Sequence, residues 1–134
     1  MRIFTLSLTL FVALVGSAGA DTREHEKAEL ARYQQFAGAP IDEFRMVDLF
    51  RTQVVGPQNV VIWSTIKDAY LVKVDQPCRE LEWTTGFGVS QAQKWKVSRK
   101  FDKINVGMGC RILEIRPIDL TAMEKAAREK GKSS

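Results

Sequence analysis

One histidine and two cysteines among 134 residues leave little material for nucleophilic or metal chemistry. Catalysis of the Ser-His-Asp or Cys-His kind needs a histidine held on a rigid scaffold. His25 instead lies in a run of charged residues near the start of a helical segment, where it reads as a solvated side chain. A zinc-type site would need two ligands beyond Cys78 and Cys110, and His25 is far from both in sequence. No HExxH, GxSxG or glycine-rich phosphate loop occurs, and Gly86-Phe87-Gly88 reads as a flexible loop. No catalytic residue, metal or cofactor is therefore expected.

Long apolar runs are also scarce. The longest, Ile3 to Val15, is about 13 residues, short of the ~20 that a membrane-spanning helix needs. Arg2 precedes it and Ala18-Gly19-Ala20 follows as a small-x-small site. That combination is the pattern of a secretory signal peptide over 1–20, cleaved near Ala20. With no cysteine beside the site, lipid attachment there is excluded. The expectation is a periplasmic or secreted protein, not an integral membrane protein, with 21–134 as one β-rich domain. No internal repeat and no linker divides it.

Charge is nearly balanced, with 20 basic and 16 acidic residues. Removing Arg2 leaves 19 against 16, a net +3. Much of the excess sits in Lys94 to Lys103 and in the tail from Lys125 to Lys132. A basic run is commonly a solvated face; the sharper reading is contact with an anionic component of the cell envelope. Nucleic acid is not expected for an exported protein. Export also sets the redox state of the cysteines. An even count in an oxidising compartment predicts a Cys78–Cys110 disulfide, worth ~3–4 kcal/mol in the chain-entropy model.

What the chain does have is a strong hairpin pattern at Asn59 to Cys78. Two apolar runs, Val60–Trp63 and Ala69–Val74, flank the polar Ser64 to Asp68. In the second run Tyr70, Val72 and Val74 alternate with Lys73 and Asp75, which predicts that the first three line the core beside Trp63. Around this hairpin the pattern predicts a helix over Asp21 to Ala37, opened by an Asp21/Glu24 capping box and packed through Leu30, Tyr33, Phe36 and Ala37. A strand over Phe44 to Phe50 comes next, before the turn at Gly56-Pro57. A short helix at Arg79 to Thr85 is anchored by Leu81 and Trp83. Strands are expected at Lys94 to Phe101, Asp102 to Val106 and Cys110 to Arg116, the last ended by Pro117. A final helix is capped by Thr121/Glu124 and packs through Leu120, Met123 and Ala127. The fold class is α+β: a small antiparallel sheet or OB-like barrel of five to six strands, with an N-terminal helix, a short helix after the third strand and a C-terminal helix.

Several segments together resemble an uncharacterised family of small exported proteins of Gram-negative bacteria. They are Phe36-Ala37-Gly38-Ala39-Pro40, Trp63, Ala69-Tyr70-Leu71, Pro77-Cys78, Cys110, and Glu114-Ile115-Arg116-Pro117-Ile118-Asp119. The resemblance spans nearly the whole mature chain. It implies export and a shared fold, and carries no catalytic residue or ligand.

Two functional classes remain. The first is a non-enzymatic binding or accessory module of the envelope, its surface formed by Lys94, Trp95 and Lys96. Strict strand alternation would turn Trp95 away from the lysines, so this surface needs a strand edge or a bulge. The second is a small hydrolase built on a carboxylate pair, Glu80 with Glu82 or Glu114 with Asp119. Arg116 lies between Glu114 and Asp119, so an ion-pair cluster at the strand end is the simpler reading of that pair.

Overall fold

A computed structural model of the chain describes residues 18–84 and 86–132. The apolar leader lies outside the described residues except for its last three, which begin helix α1, Ala18–Gln35. Because α1 starts upstream of Asp21, the expected capping box is not its beginning. The helix closes with 3₁₀-type bonds, Phe36 N–H to Tyr33 O at 3.2 Å and Ala37 N–H to Gln34 O at 3.3 Å.

Among the described residues eight strands follow: β1 Glu43–Arg45, β2 Arg51–Val54, β3 Asn59–Trp63, β4 Ala69–Val74, β5 Gly88–Val89, β6 Lys96–Ser98, β7 Lys103–Asn105 and β8 Cys110–Ile118. Helix α2, Leu120–Lys132, ends the described chain. Six strands form one curled antiparallel sheet, a half-barrel in the order β2-β3-β4-β8-β7-β5. The other two, β1 and β6, pair as a separate ribbon. The α+β class and both terminal helices are as expected.

The β3–β4 hairpin forms where the alternation placed it, with Val60 opposite Val72 and Ile62 opposite Tyr70. Its loop is closed by Ser64 N–H to Asp68 O at 3.0 Å. The Thr65 hydroxyl accepts from the Lys67 and Asp68 amides and donates to the Asp68 carboxylate, a side-chain-closed turn.

The sheet is buried on both faces, so Leu71, an apolar residue on the side of β4 opposite Val72, is buried as well. On one face Val60, Ile62, Val72, Val74, Ile112 and Ile115 form the larger core, with Phe44 of β1 and Val97 of β6 packed over them. On the other, Val61, Trp63, Ala69, Leu71 and Ile118 lie beneath Tyr33 of α1 and Leu120 and Met123 of α2. Trp63 therefore does not sit beside Val72 and Val74. It is on the helix-covered face, edge-to-face with Tyr33 at 6.1 Å. Tyr70 does point with Val72, but it is only half-buried and stacks on Phe44 at 4.0 Å.

Strand β8 departs from simple alternation for two local reasons. Lys73 pairs with Glu114 while Val74 pairs with Ile112, so Leu113 is an inserted bulge residue. The bulge puts Cys110, Ile112 and Ile115 in one core, where strict alternation had opposed Ile115 to the other two. Pro117 does not end the strand. Its carbonyl accepts from the Gly38 amide at 2.8 Å, and the Ile115 carbonyl accepts from the Ile41 amide at 2.8 Å. A strand residue's nitrogen and carbonyl point the same way, so the missing proline N–H faces the irregular 37–41 segment and takes nothing from the β4 ladder.

Other expectations are corrected too. The single strand over Phe44 to Phe50 is split between β1 and a loop, and β2 was not expected. Of the two short-helix anchors, Leu81 is fully buried, while Trp83 is 83% exposed because the helix is a single 3₁₀ turn, Leu81–Trp83. Helix α2 is capped by Asp119, not Thr121: its Oδ1 accepts from the Ala122 amide at 3.0 Å. Ala127 is exposed and does not join the stripe.

Candidate functional site

The ribbon is where the chain departs furthest from its expected course, and it carries the residues singled out for binding. The strand expected over Lys94 to Phe101 survives only as β6. Trp95 stands just before it in the left-handed region, φ 62°, which is uncommon for a non-glycine residue. That conformation swings its ring out of the strand's alternation, and Trp95 is 47% exposed rather than buried with Val97. Phe101, the last residue of that expected strand, is exposed in the following turn.

A buried carboxylate holds this detour. Asp102 is 2% exposed. It accepts from the Ser98 amide at 2.6 Å, the Ala92 amide at 2.7 Å and the Ser90 hydroxyl at 3.1 Å. Those donors flank the 93–97 stretch on both sides, so one charge gathers both ends of the loop. A second fastening comes from the residue after β1: Met46 N–H donates to Trp95 O at 2.9 Å, and Gln91 Nε2 donates to Met46 O at 2.6 Å.

The outcome is an open cleft of about 460 Å³ on the outer side of the ribbon, lined by Glu43, Phe44, Arg45, Lys94, Trp95 and Lys96. The three residues named from sequence are brought together there. The Lys94 ammonium stands 4.5 Å above the Trp95 ring centroid, a cation–π contact. Lys96 Nζ lies 3.5 Å from Glu43 Oε1, with both side chains half-exposed. Arg45, opposite Lys96 in the ribbon register, has no ion pair among the described residues. The cleft thus offers three cations against one carboxylate, beside an aromatic ring. Beneath it, Tyr70 stacks on Phe44, and burial, followed by the nearby Asp68 charge, raises its phenol above the ordinary 10.0.

Sequence reading missed Glu43, Arg45, Gln91 and Asp102. A signal existed only for the last, an isolated acid in the basic stretch from Lys94 to Lys103 with serines at 90 and 98.

Cys78 and Cys110 form the expected disulfide, Cα–Cα 5.8 Å, joining the segment after β4 to the start of β8. The bond fits an extracellular or periplasmic protein. The carboxylates considered for hydrolysis have separate structural surroundings. Glu114 lies opposite Lys73 in the ladder and Asp119 caps α2. Arg116 joins neither in an ion-pair cluster; its guanidinium donates to the Gly38 and Ala37 carbonyls. Glu80 lies against Gly107, at φ +57°, where an added Cβ would meet the Glu80 carboxylate at 2.7 Å. His25 is exposed on α1. Among the described residues no group of three or more His, Cys, Asp or Glu side chains is placed to hold a metal ion. No helix among them is long and apolar enough to cross a membrane.

The chain belongs to a family of unknown function, DUF6491, whose model matches residues 1–134. No curated protein and no solved structure matches it.

Proposed function

We propose that this member of the family is a non-catalytic binding module of the cell envelope, exported by cleavage after Ala20, whose contact surface is the outer side of the β1–β6 ribbon. Its ligand is an anionic envelope component. The observation that carries this reading is the convergence of Arg45, Lys94 and Lys96 around an exposed Trp95, from segments about fifty residues apart. A left-handed tryptophan and a buried aspartate hold a surface that core packing alone does not require. Backbone strain of this kind points to a role beyond stability. The disulfide supports export, and the apolar leader supports the route.

The test uses a soluble polyanion, dextran sulfate, as probe. The purified chain should bind it with an affinity that falls as salt rises, because the cations are exposed and screened. The double variant Lys94→Glu with Lys96→Glu should keep its circular dichroism and lose that binding. Equal binding by both proteins would remove this surface from consideration. Hydrolysis of an ester, glycoside or phosphate ester that disappears on Glu114→Gln would overturn the non-enzymatic reading. Mass spectrometry of the exported protein should find Asp21 as its first residue.

A further inference from the structure

We propose that the anionic partner is the headgroup face of a lipid bilayer, met jointly by Trp95 and the loop from Met46 to Phe50. This rests on the anion-binding reading above and narrows it to lipid. The loop is fastened to Trp95 through the Met46 amide and to Gln91 through the Met46 carbonyl. It exposes Val47 at 51% and Phe50 at 58%, and Trp95 is 47% exposed. Single exposed apolar residues are ordinary on a protein surface. Three on two mutually bonded segments that also carry Arg45, Lys94 and Lys96 are grouped by the fold rather than scattered, which is the composition of an apolar-basic contact face.

A soluble polyanion has use for the cations but none for Val47 and Phe50. A bilayer surface uses both. Tryptophan favours the headgroup level, where its ring is buried and its N–H stays wet. Lysine and arginine lay their stems along apolar groups while their charged heads reach phosphate. The Lys94 ammonium rests over the Trp95 ring, within reach of a headgroup phosphate met by that ring. The same contact covers one face of the ring and makes it a poor platform for stacking a sugar. Arg45, Lys94 and Lys96 stand against Glu43 and Asp48, so the face remains positive and complements an anionic leaflet.

The experiment is co-sedimentation of the purified chain with vesicles of phosphatidylcholine alone or mixed with phosphatidylglycerol, with dextran sulfate binding measured in parallel. Binding is expected only to vesicles containing phosphatidylglycerol. It should fall by about a hundredfold in Lys94→Glu with Lys96→Glu. It should fall by about tenfold in Trp95→Ala and in Phe50→Ser, each with native circular dichroism. Dextran sulfate binding should survive Phe50→Ser. If the chain binds dextran sulfate but not the anionic vesicles, the lipid proposal fails and the anion-binding reading stands. If it binds neither, both fail. Vesicle binding indifferent to Trp95→Ala and Phe50→Ser would also overturn the proposal, since the apolar residues would then have no part in it.

Discussion

The β3–β4–β8 sheet and the β1–β6 ribbon are both antiparallel, both buried against the same core, and held together by different means. The sheet is built from a local hairpin and a returning strand, buried on two faces and tied by a disulfide at one end. Removing water from apolar area does most of that work. The ribbon has three residues per strand, with paired residues 51 to 55 apart in the chain. It sends only Phe44 and Val97 into the core, and its loops are set by hydrogen bonds converging on Asp102 and Met46. One region is stabilised by area and the other is shaped by direction. The directed region is the one that presents charge and an aromatic ring to solvent.

Substitutions should separate the two. The largest effect is expected from Val72→Asp, which buries an unpaired charge in the sheet core. The protein should not fold, as read by loss of a cooperative urea transition. A well-folded variant would mean that this face is not the core. Reducing Cys78–Cys110 should come next, lowering stability by ~3 kcal/mol and the melting temperature by several degrees. Asp102→Asn should cost about 1–3 kcal/mol through weakened charge-assisted bonds. Its hydrogen exchange should rise at Ala92 and Ser98 while β3 and β4 stay protected. Uniform loss of protection would show that ribbon and sheet are one cooperative unit.

The smallest effect is in alkaline titration. Burial raises the phenols of both Tyr33, between α1 and the sheet, and Tyr70, under the ribbon. Their contribution to stability is complete below the unfolded value near 10 and is lost as pH rises through the higher folded values. If Asp102→Asn loosens the ribbon, Tyr70 should ionise earlier while Tyr33 is unchanged. Tyrosinate absorbance of single Tyr→Phe variants reads the two apart.

The same contrast governs what the sequence reveals. Val60 to Trp63 and Ala69 to Val74 were legible because a two-residue period and a polar loop are local signals. The two capping-box expectations failed where the chain had better options: Asp119 precedes Thr121, and α1 extends upstream of Asp21. Leu113 and Pro117 were misread because a bulge and a one-sided strand edge depend on the partner strand. Trp95 was legible as a candidate but not in its orientation. Its left-handed backbone goes with a bond from Met46 and a loop gathered by Asp102, and neither leaves a mark in the spacing around Trp95.

The central claim, that the ribbon face is the contact surface, is tested most directly by mapping amide chemical shifts of the ¹⁵N-labelled chain as an anionic probe is added. The basic tail from Lys125 to Lys132 supplies the internal competitor. Perturbations confined to 43–50 and 91–99, absent in Lys94→Glu with Lys96→Glu, are the expected result. Perturbations centred on 125–132, with the ribbon amides unmoved, would contradict it.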